Sequence, residues 1–300
     1  MRLPPRICQT TDLIILGAGI TGLAAGYFLR DKLSCVILDA NNEAGGVIKT
    51  SKIGDFVLEQ GPDCFMNTKP HVLDLSLKLG LKAKLIESKD YQRQVWLLKN
   101  GDLVPSDYEN KSVPYFLGNR KTLSRTRERA CNGSCISFRD GMQTLPHTLA
   151  GKLKNQLQLN TRITHLDPAK LEVTCNNGQV FKAKAILSTL PAYETSHLLN
   201  CHPGLDPGSS NSQPWSKFKT TTTTSLYLAY KRSAISHPLN GFGIIIPPTE
   251  NKSLTAVTFV SSKFDHRCPA NHVLFRVFTK QDLLVTLAKA RVYADFEAIF

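Results

Sequence analysis

Three glycines near the start of the chain have the spacing of a phosphate-binding turn. Gly17, Gly19 and Gly22 follow the apolar run DLIIL and open a segment with a helical pattern. Gly17 allows a tight turn, Gly19 lets a pyrophosphate approach the backbone, and Gly22 lets the helix pack closely on the strand. The N–H groups at the positive end of such a helix bind phosphates. The pattern predicts a dinucleotide site.

An acidic residue and a second glycine pair extend this motif. Asp39 closes the next apolar run, CVILD, where its carboxylate can accept hydrogen bonds from ribose hydroxyls. Gly45 and Gly46 would let a second loop pass close to the same phosphates, which favours FAD over NAD. Ala18 and Ala40 complete these two loops. A plain turn is the alternative explanation of the glycine pair.

The order of elements around the glycines predicts the fold class. Strand, glycine turn, helix and strand follow one another over residues 12–39, as in a Rossmann-type βαβ unit of an α/β protein. Helical spacing recurs over 69–81 and 143–157, and three or four strands follow, with a turn at Asn177-Gly178. Beyond residue 216, four short apolar runs separated by turn residues predict an antiparallel sheet.

The order of motifs predicts a discontinuous FAD-binding domain and an α+β substrate domain. The predicted parts are an FAD-binding domain over 11–65 and 136–199, a shortened helical cover over 66–135, a loop or insertion over 200–215, an antiparallel substrate-domain sheet over 216–280 and a tail over 281–300.

Composition and charge limit the function classes. Hydrophobic residues make up 42% of the 300 residues, enough for a packed core, and no apolar run approaches the ~20 residues of a membrane-spanning helix. The net charge of +13 allows nucleic acid, anionic lipid or a polyanionic small molecule as partner. In its densest run, 111–129, aromatic residues are not interleaved with the basic ones as base stacking would require, so no nucleic-acid partner is expected.

The cysteines and the first residues bear on location. Eight scattered cysteines do not have the spacing of a metal site and indicate a reducing compartment. The opening MRLPPRICQT lacks the apolar core of a secretory signal. We therefore expect no bound metal and a cytoplasmic protein, and peripheral contact with the cytoplasmic membrane stays open.

Longer segments resemble the protoporphyrinogen and coproporphyrinogen oxidase family, FAD enzymes of the amine-oxidase-like superfamily. The segments are collinear over most of the chain. They are LIILGAGITGLAAGYFL, LDANNEAGGVIKT, FVLEQGPDCFMNTKPHVLDLSLKLGL, FRDGMQTLPHTLAGKL, GFGIIIP and FVSSKFDHRCPANHVLFRVF. The resemblance implies an enzyme of haem biosynthesis that removes six electrons from protoporphyrinogen IX, or from coproporphyrinogen III, with O2 as acceptor.

The resemblance also implies roles for individual residues. The flavin accepts hydride in this reaction class, so no catalytic acid or base is assigned. The backbone of Ile163 would meet the adenine end of FAD, although a core isoleucine is an equally good interpretation. Arg93 would bind a porphyrinogen propionate through its planar guanidinium, with an exposed loop arginine as the alternative.

The sequence departs from the family pattern in three places. Glu43 stands where the family usually has a basic residue near the FAD phosphates, and an acid there would repel the pyrophosphate. Only a short basic stretch separates Pro105 from Phe138, and no glycine-rich segment follows before Phe300. These departures predict a truncated version. A non-catalytic remnant and another amine- or carotenoid-type FAD oxidoreductase stay open as alternatives.

Overall fold

The chain forms two compact units, each discontinuous in sequence. The first comprises residues 1–49 and 143–220, and the second 50–142 and 221–300. The computed structural model describes residues 8–89, 94–106, 134–200, 218, 222–279 and 286–300. Arg93 and residues 201–215 of the predicted loop or insertion lie outside the described residues.

The strands and helices are numbered in chain order. The strands are β1 (Cys8–Leu16), β2 (Cys35–Leu38), β3 (Thr50–Ile53), β4 (Phe56–Glu59), β5 (Phe65–Met66), β6 (Leu85–Glu87), β7 (Val95–Lys99), β8 (Asp102–Pro105), β9 (Cys135–Phe138), β10 (Leu157–Gln158), β11 (Ile163–Asp167), β12 (Glu172–Cys175), β13 (Val180–Ser188), β14 (Thr224–Lys231), β15 (Gly243–Ile245), β16 (Leu254–Phe259) and β17 (His272–Thr279). The helices are α1 (Ile20–Leu29), α2 (Pro70–Lys78), α3 (Thr144–Lys152), α4 (Ala192–Asn200), α5 (Val260–Lys263) and α6 (Thr286–Glu297). Among these described helices, none has both the length and the apolar character needed to cross a membrane.

The first unit is built on a six-stranded sheet in the order β10-β2-β1-β13-β12-β11. The first four of these strands are parallel, β12 runs antiparallel to its neighbour β13, and β11 runs antiparallel to β12. Every residue of β2 is buried, because parallel strands are covered on both faces and therefore read as continuous apolar runs. This sheet confirms the predicted Rossmann-type α/β fold, and the predicted strands after α3 appear as β10 to β13.

Helix α1 packs on the sheet through its small residues. A Cβ atom on Gly26 would lie 2.6 Å from Cδ1 of Ile37 in β2, so the absence of a side chain sets the distance between helix and strand. Helix α3 packs against α1, and Leu153 at its end also lies beside Gly26. Helix α3 ends at Lys152, earlier than the predicted residue 157, because the chain turns there to enter β10.

The second unit contains the predicted antiparallel sheet. The four apolar runs beyond residue 216 form β14, β15, β16 and β17, in a six-stranded sheet of order β14-β17-β16-β15-β7-β8. All neighbours in it are antiparallel except β15 and β7. Its core is a cluster of buried side chains that includes Phe259, Phe275 and Val277. Two smaller sheets, β3-β4 and β5-β9-β6, complete the unit.

Two segments have a different structure from the predicted one. The described part of 66–135 contains helix α2 but also strands β6, β7 and β8, so it is less helical than expected. The predicted tail contains α6, whose Val292 and Phe296 are buried in the core of the six-stranded sheet. The ring of Phe296 also stacks on Tyr230 and Phe300. This packing holds α6 against the core of the six-stranded sheet.

Candidate functional site

Asp39 joins the ends of β1 and β2 at the glycine turn. Its Oδ2 atom accepts a 2.7 Å hydrogen bond from the backbone N–H of Ala18, and its Oδ1 atom accepts two from the backbone and side chain of Asn41. The side chain is 9% exposed. A carboxylate can accept about four hydrogen bonds, so one acceptor position remains for a ribose hydroxyl.

The turn at Gly17 requires glycine for its backbone conformation. Its φ is +100°, a value that residues with a side chain rarely adopt. The carbonyl oxygen of Gly17 also occupies the space that a Cβ atom on Gly22 would need. Thr189, which follows β13, supports the same turn. Its Oγ1 atom donates to the carbonyl oxygens of Leu16 at 2.8 Å and Gly17 at 3.1 Å. The glycines therefore fit together as the motif predicts.

Gly19 is the open position of the loop. It lies at the N-terminus of α1 in an extended conformation, and a Cβ atom there would meet no atom within 4 Å. The first turn of α1 has no side-chain cap and no acidic residue, so its N–H groups face this open position without a competing anion.

The glycine pair lies directly against this loop. The N–H of Gly45 donates a 2.9 Å hydrogen bond to the carbonyl of Ala18, and Gly45 forms an isolated parallel bridge with Gly19. A Cβ atom on Gly46 would lie 3.2 Å from the Cα atom of Gly19. Both glycines have positive φ angles, +127° and +60°. The two loops therefore meet at one place, and the predicted closeness of the second loop to the phosphates stays a prediction.

These residues fit the pyrophosphate of a dinucleotide. The backbone at Gly19 is free of side-chain atoms, helix N–H groups point toward it, and an acid able to bind a ribose lies one strand away. If FAD binds here, Gly17, Ala18, Gly19, Gly45 and Gly46 would line the phosphates. Asp39 would lie at the ribose.

The other residues predicted near the cofactor lie in the same unit. Ala40 is half-buried and follows Asp39 directly. Ile163 begins β11, opposite Cys175 of β12, and packs against the buried cluster that contains Ile14 and Leu16. This packing agrees with the interpretation of Ile163 as a core residue. The contact of its backbone with the adenine of FAD stays a prediction.

Glu43, the departure from the family pattern, has a specific partner. Its Oε1 atom lies 2.8 Å from Nε2 of His147 on α3, and both side chains are 50% exposed. The side chain of Gln143, one turn earlier, approaches the same ring nitrogen at 2.8 Å. The acid therefore does not stand alone beside the glycine loops.

A second cluster of polar groups is buried in the second unit, around Glu59. Its carboxylate accepts hydrogen bonds from Thr50 Oγ1 at 2.7 Å and from the N–H of Met142 at 2.9 Å, and it is 1% exposed. Arg267 Nη2 lies 3.6 Å away. Burial raises the pKa of Glu59 above its ordinary value, although both hydrogen bonds and the arginine act to lower it.

Arg267 is also buried and only loosely paired. Its Nη2 atom donates a 2.6 Å hydrogen bond to Ser137 Oγ, while its Nη1 atom has no hydrogen-bond partner among the described residues. Burial lowers the pKa of Arg267, against the charges of Glu59 and Asp63. Both members of the pair thus bear a desolvation cost that their separation does not fully offset.

A closer ion pair joins Asp63 and Lys263 in the same unit. Lys263 Nζ lies 2.8 Å from Asp63 Oδ2 and 3.2 Å from Cys64 Sγ. Burial alone would raise the pKa of Asp63, but the charge and hydrogen bond of Lys263 together lower it. A hydrogen bond with Cys135, burial and the charge of Asp63 raise the pKa of the Cys64 thiol. The thiol is therefore a poor nucleophile.

Sequence reasoning did not find Thr189, His147 or the Glu59–Arg267 pair. Thr189 lies 172 residues from the glycine it supports, and a lone threonine at a strand end carries no signal. Thr189 follows the carboxyl end of β13, and β13 is the parallel neighbour of β1. Only a known strand order would therefore have placed Thr189 beside the glycine turn.

The fold and the two glycine loops define a Rossmann-type dinucleotide-binding protein. Residues 15–78 match the family model described as an NAD(P)-binding Rossmann-like domain. Residues 116–297, more than half of the chain, match the model of the flavin containing amine oxidoreductases. The chain belongs to the flavin-containing amine oxidoreductase family. This membership confirms the predicted flavin cofactor, FAD, and the resemblance to the amine-oxidase-like superfamily.

Relatives within this family carry porphyrinogen oxidase names. Protoporphyrinogen oxidase 1 of Arabidopsis thaliana chloroplasts is 22% identical over 88% of this chain and 68% of its own length. Coproporphyrinogen III oxidase of Staphylococcus aureus is 29% identical over 91 residues, which are 29% of this chain and 20% of that relative. The segment matched in such coproporphyrinogen oxidases is thus about a fifth of their length.

A solved structure agrees with the fold. The crystal structure of a protein from Exiguobacterium sp. 255-15, described as a candidate protoporphyrinogen oxidase, superposes with a TM-score of 0.75 at 21% identity. The superposition covers 97% of this chain and 83% of that one. At this identity the likeness establishes the shared fold.

Proposed function

We propose that the protein is an FAD-dependent porphyrinogen oxidase of haem biosynthesis. It would oxidise protoporphyrinogen IX to protoporphyrin IX, or coproporphyrinogen III to coproporphyrin III, with O2 as electron acceptor. The proposal is supported by family membership and by the porphyrinogen oxidase names of its relatives. The collinear segments quoted above carry the same resemblance along the chain.

The observation that carries the proposal is the open backbone at Gly19 beside the Gly45-Gly46 loop. Such an arrangement suits the pyrophosphate of FAD, because N–H groups and the helix N-terminus attract anions where no side chain blocks them. The residues proposed to bind FAD are Gly17, Ala18, Gly19, Gly22, Asp39, Ala40, Gly45, Gly46 and Ile163.

The overall chemistry is a six-electron oxidation. Bound FAD supplies the acceptor of hydride, one electron pair at a time. Three such steps remove six electrons and six protons from one porphyrinogen, and three O2 molecules leave as three H2O2. The residues of this chain would bind and orient the reactants, and no side chain is assigned as a catalytic acid or base.

We assign binding of the substrate to the second unit. Its six-stranded sheet would belong to the substrate domain, and Arg93 would bind a propionate of the porphyrinogen. Carboxylate recognition suits a planar guanidinium, because two parallel hydrogen bonds can form. Peripheral contact with the cytoplasmic membrane would accord with the basic run over 111–129.

The proposal is tested with purified protein supplied with FAD. Each porphyrinogen is added in air, in separate reactions, and the porphyrin product is followed by its fluorescence, with the slow spontaneous oxidation measured without protein. Porphyrin formation above that background, with consumption of O2, is the expected result. The Gly19→Ala variant serves as the matched control, because it alters only the proposed phosphate contact.

Two other results would contradict the proposal in different ways. Bound flavin without porphyrin formation from either substrate would indicate another substrate of the family, an amine or a carotenoid. Protein that binds no FAD would leave the non-catalytic alternative.

A further inference from the structure

Three sulfur atoms meet on one face of the small sheet β5-β9-β6. Met66 of β5 lies directly opposite Cys135 of β9, and Cys135 Sγ is 3.5 Å from Met66 Sδ. Side chains alternate along an extended chain, so Cys64 lies on the same face as Met66. Its thiol is hydrogen-bonded with that of Cys135. All three residues are partly exposed.

The register of the strands does not suit a disulfide between the two cysteines. Strands β5 and β9 are antiparallel, and the pairing of Phe65 with Ile136, continued by one residue, places Cys64 opposite Ser137. Cys64 and Cys135 are therefore diagonal neighbours, a relationship that separates residues by roughly 7–8 Å. A disulfide requires Cα atoms within about 7 Å, and both cysteines are present as thiols. An ion held between the two sulfurs would bridge this longer distance.

Two thiols and a thioether are suitable ligands for a soft metal ion. Thiolate and thioether sulfur select Cu(I), whereas zinc takes thiolate, imidazole and carboxylate ligands. Among the described residues, no three His, Cys, Asp or Glu side chains form a group that could hold a metal ion. The third ligand here is a thioether. With metal–sulfur bonds of about 2.3 Å, two sulfurs of a trigonal site lie roughly 4 Å apart, close to the 3.5 Å between Met66 and Cys135.

Lys263 places a positive charge beside the sulfur atoms. Its Nζ atom lies 3.2 Å from Cys64 Sγ and 2.8 Å from Asp63 Oδ2, and its side chain is largely buried. Two thiolates and one Cu(I) ion carry a single negative charge together. The ammonium group of Lys263 would offset that charge, which a buried site requires.

The side chains around this ion pair carry more positive than negative charge. Arg267 Nη2 lies 3.6 Å from Glu59 Oε1 and donates a 2.6 Å hydrogen bond to Oγ of Ser137, which neighbours the sulfur cluster. Arg276 Nη1 donates to the carbonyl of Gly61, two residues before Asp63. An excess of buried charge is costly, and a cuprous dithiolate would balance it. The three cations are Lys263, Arg267 and Arg276, and the two carboxylates are Glu59 and Asp63.

We propose that Cys64, Met66 and Cys135 bind one Cu(I) ion. Binding forms three metal–sulfur bonds and releases two thiol protons, and no oxidation state changes, so no oxidant takes part. The spacing of the cysteines along the chain predicted no metal, because the pairing of β5 with β9 brings together sulfurs that are 69 residues apart. The inference is independent of the proposed FAD site, since all three ligands lie in the second unit.

The test titrates the reduced protein, without air, with Cu(I) held by bicinchoninate, and follows the loss of colour of that complex. The wild type should take up one more equivalent of Cu(I) than Cys64→Ser or Cys135→Ser. Met66→Leu should raise the dissociation constant at least about tenfold, since loss of even an outer partner of a metal ligand costs about 10–100-fold. Cys268→Ser is the matched control and should bind as the wild type does, because that thiol donates to the carbonyl of His272.

X-ray absorption at the copper edge identifies the ligands of the bound ion. With one equivalent of Cu(I), the wild type should show three sulfur atoms at about 2.3 Å, and Met66→Leu only two. Circular dichroism establishes that each variant is folded, and any one of the three ligand variants carries the test if another does not fold.

Three results would overturn the inference. If Cys64→Ser and Cys135→Ser take up as much Cu(I) as the wild type, the ion binds at other thiols. If Met66→Leu keeps the affinity and the sulfur count of the wild type, the thioether is not a ligand. If the wild type loses two thiols and retains no copper, Cys64 and Cys135 form a disulfide instead of a metal site.

Discussion

The backbone N–H of Ala18 donates a 2.7 Å hydrogen bond to Asp39 Oδ2, across the ends of two parallel strands. The same carboxylate binds the backbone of Asn41, while the backbone N–H and carbonyl of Asp39 bond with Gln158 and Thr161. The residue that would bind a ribose therefore also fixes the shape of the glycine turn. Binding and local stability are coupled at Asp39.

Asp39→Ala should weaken both folding and FAD binding. The change leaves the buried N–H of Ala18 without an acceptor, which costs about 1–3 kcal/mol of unfolding free energy. Urea unfolding without FAD measures the first effect, and calorimetric titration with FAD the second. Asp31→Ala, at an exposed position, is the matched control. An Asp39→Ala protein as stable as the control would contradict this account of the turn.

Gly22→Ala should destabilise the first unit. A Cβ atom there collides with the carbonyl oxygen of Gly17, and Thr189 Oγ1 lies 2.9 Å away, so the helix must shift from the strand. Overpacking of this kind costs about 1–3 kcal/mol.

Gly151→Ala is the control for this helix position. Gly151 lies in α3 with open space around it, so alanine should stabilise the protein by about 0.5–1 kcal/mol through helix propensity. Thermal unfolding of the two variants should therefore shift in opposite directions. Equal midpoints would show that the close contact at Gly22 is not present.

Glu59→Gln should change how stability depends on pH. Since burial raises the pKa of Glu59, the folded state keeps a proton that the unfolded state has already lost, and stability falls as the pH rises from about 4.3 to the folded pKa. The variant should lack this fall. Urea unfolding over pH 4 to 7 measures it, with Glu87→Gln, at an exposed residue of β6, as the control. If the wild type and Glu59→Gln curves stay parallel, Glu59 is not a cause of the pH dependence.

Tyr227→Phe should lose a pair of hydrogen bonds to one backbone position. The hydroxyl of Tyr227 donates to the carbonyl of Glu59 at 2.9 Å and accepts from its N–H at 3.0 Å. Their loss should cost about 1–3 kcal/mol. Burial raises the pKa of Tyr227 to about 12, so the variant should lose the last step of an absorbance titration of tyrosinate. Tyr293→Phe, at a partly exposed ring, should change neither quantity. Loss of an ordinary step near pH 10 would contradict the burial of Tyr227.

The Rossmann half of the fold could be predicted because its signals are local. Strand β2 is an uninterrupted apolar run, and the glycines stand at the turn between β1 and α1, where backbone conformation and close packing require them. Gly45 and Gly46 were predicted to let a second loop pass close to the same phosphates, and in the structure Gly45 bridges to Gly19. Gly17 and Gly22 are constrained within their own turn, by residues that are close in sequence.

The rest of the fold and of the candidate site could not be predicted, because it depends on contacts between residues that are distant in sequence. Lys263 and Asp63 lie 200 residues apart, and nothing in either segment indicates the other. Strands β7 and β8 join the antiparallel sheet through the parallel pairing of β7 with β15, which period-two patterns do not specify. The contact of Glu43 with His147 was missed for the same reason, so the acid could only be read as a repulsive charge.

The most direct test of the account is the affinity of Gly19→Ala for FAD. The new Cβ atom enters open space at a position with φ of −68°, so the unfolding free energy should change by no more than about 1 kcal/mol. The methyl group would occupy the place of the pyrophosphate, and the dissociation constant of FAD should rise at least about tenfold, or ~1.4 kcal/mol. A folded Gly19→Ala protein that binds FAD as tightly as the wild type would contradict the proposed site.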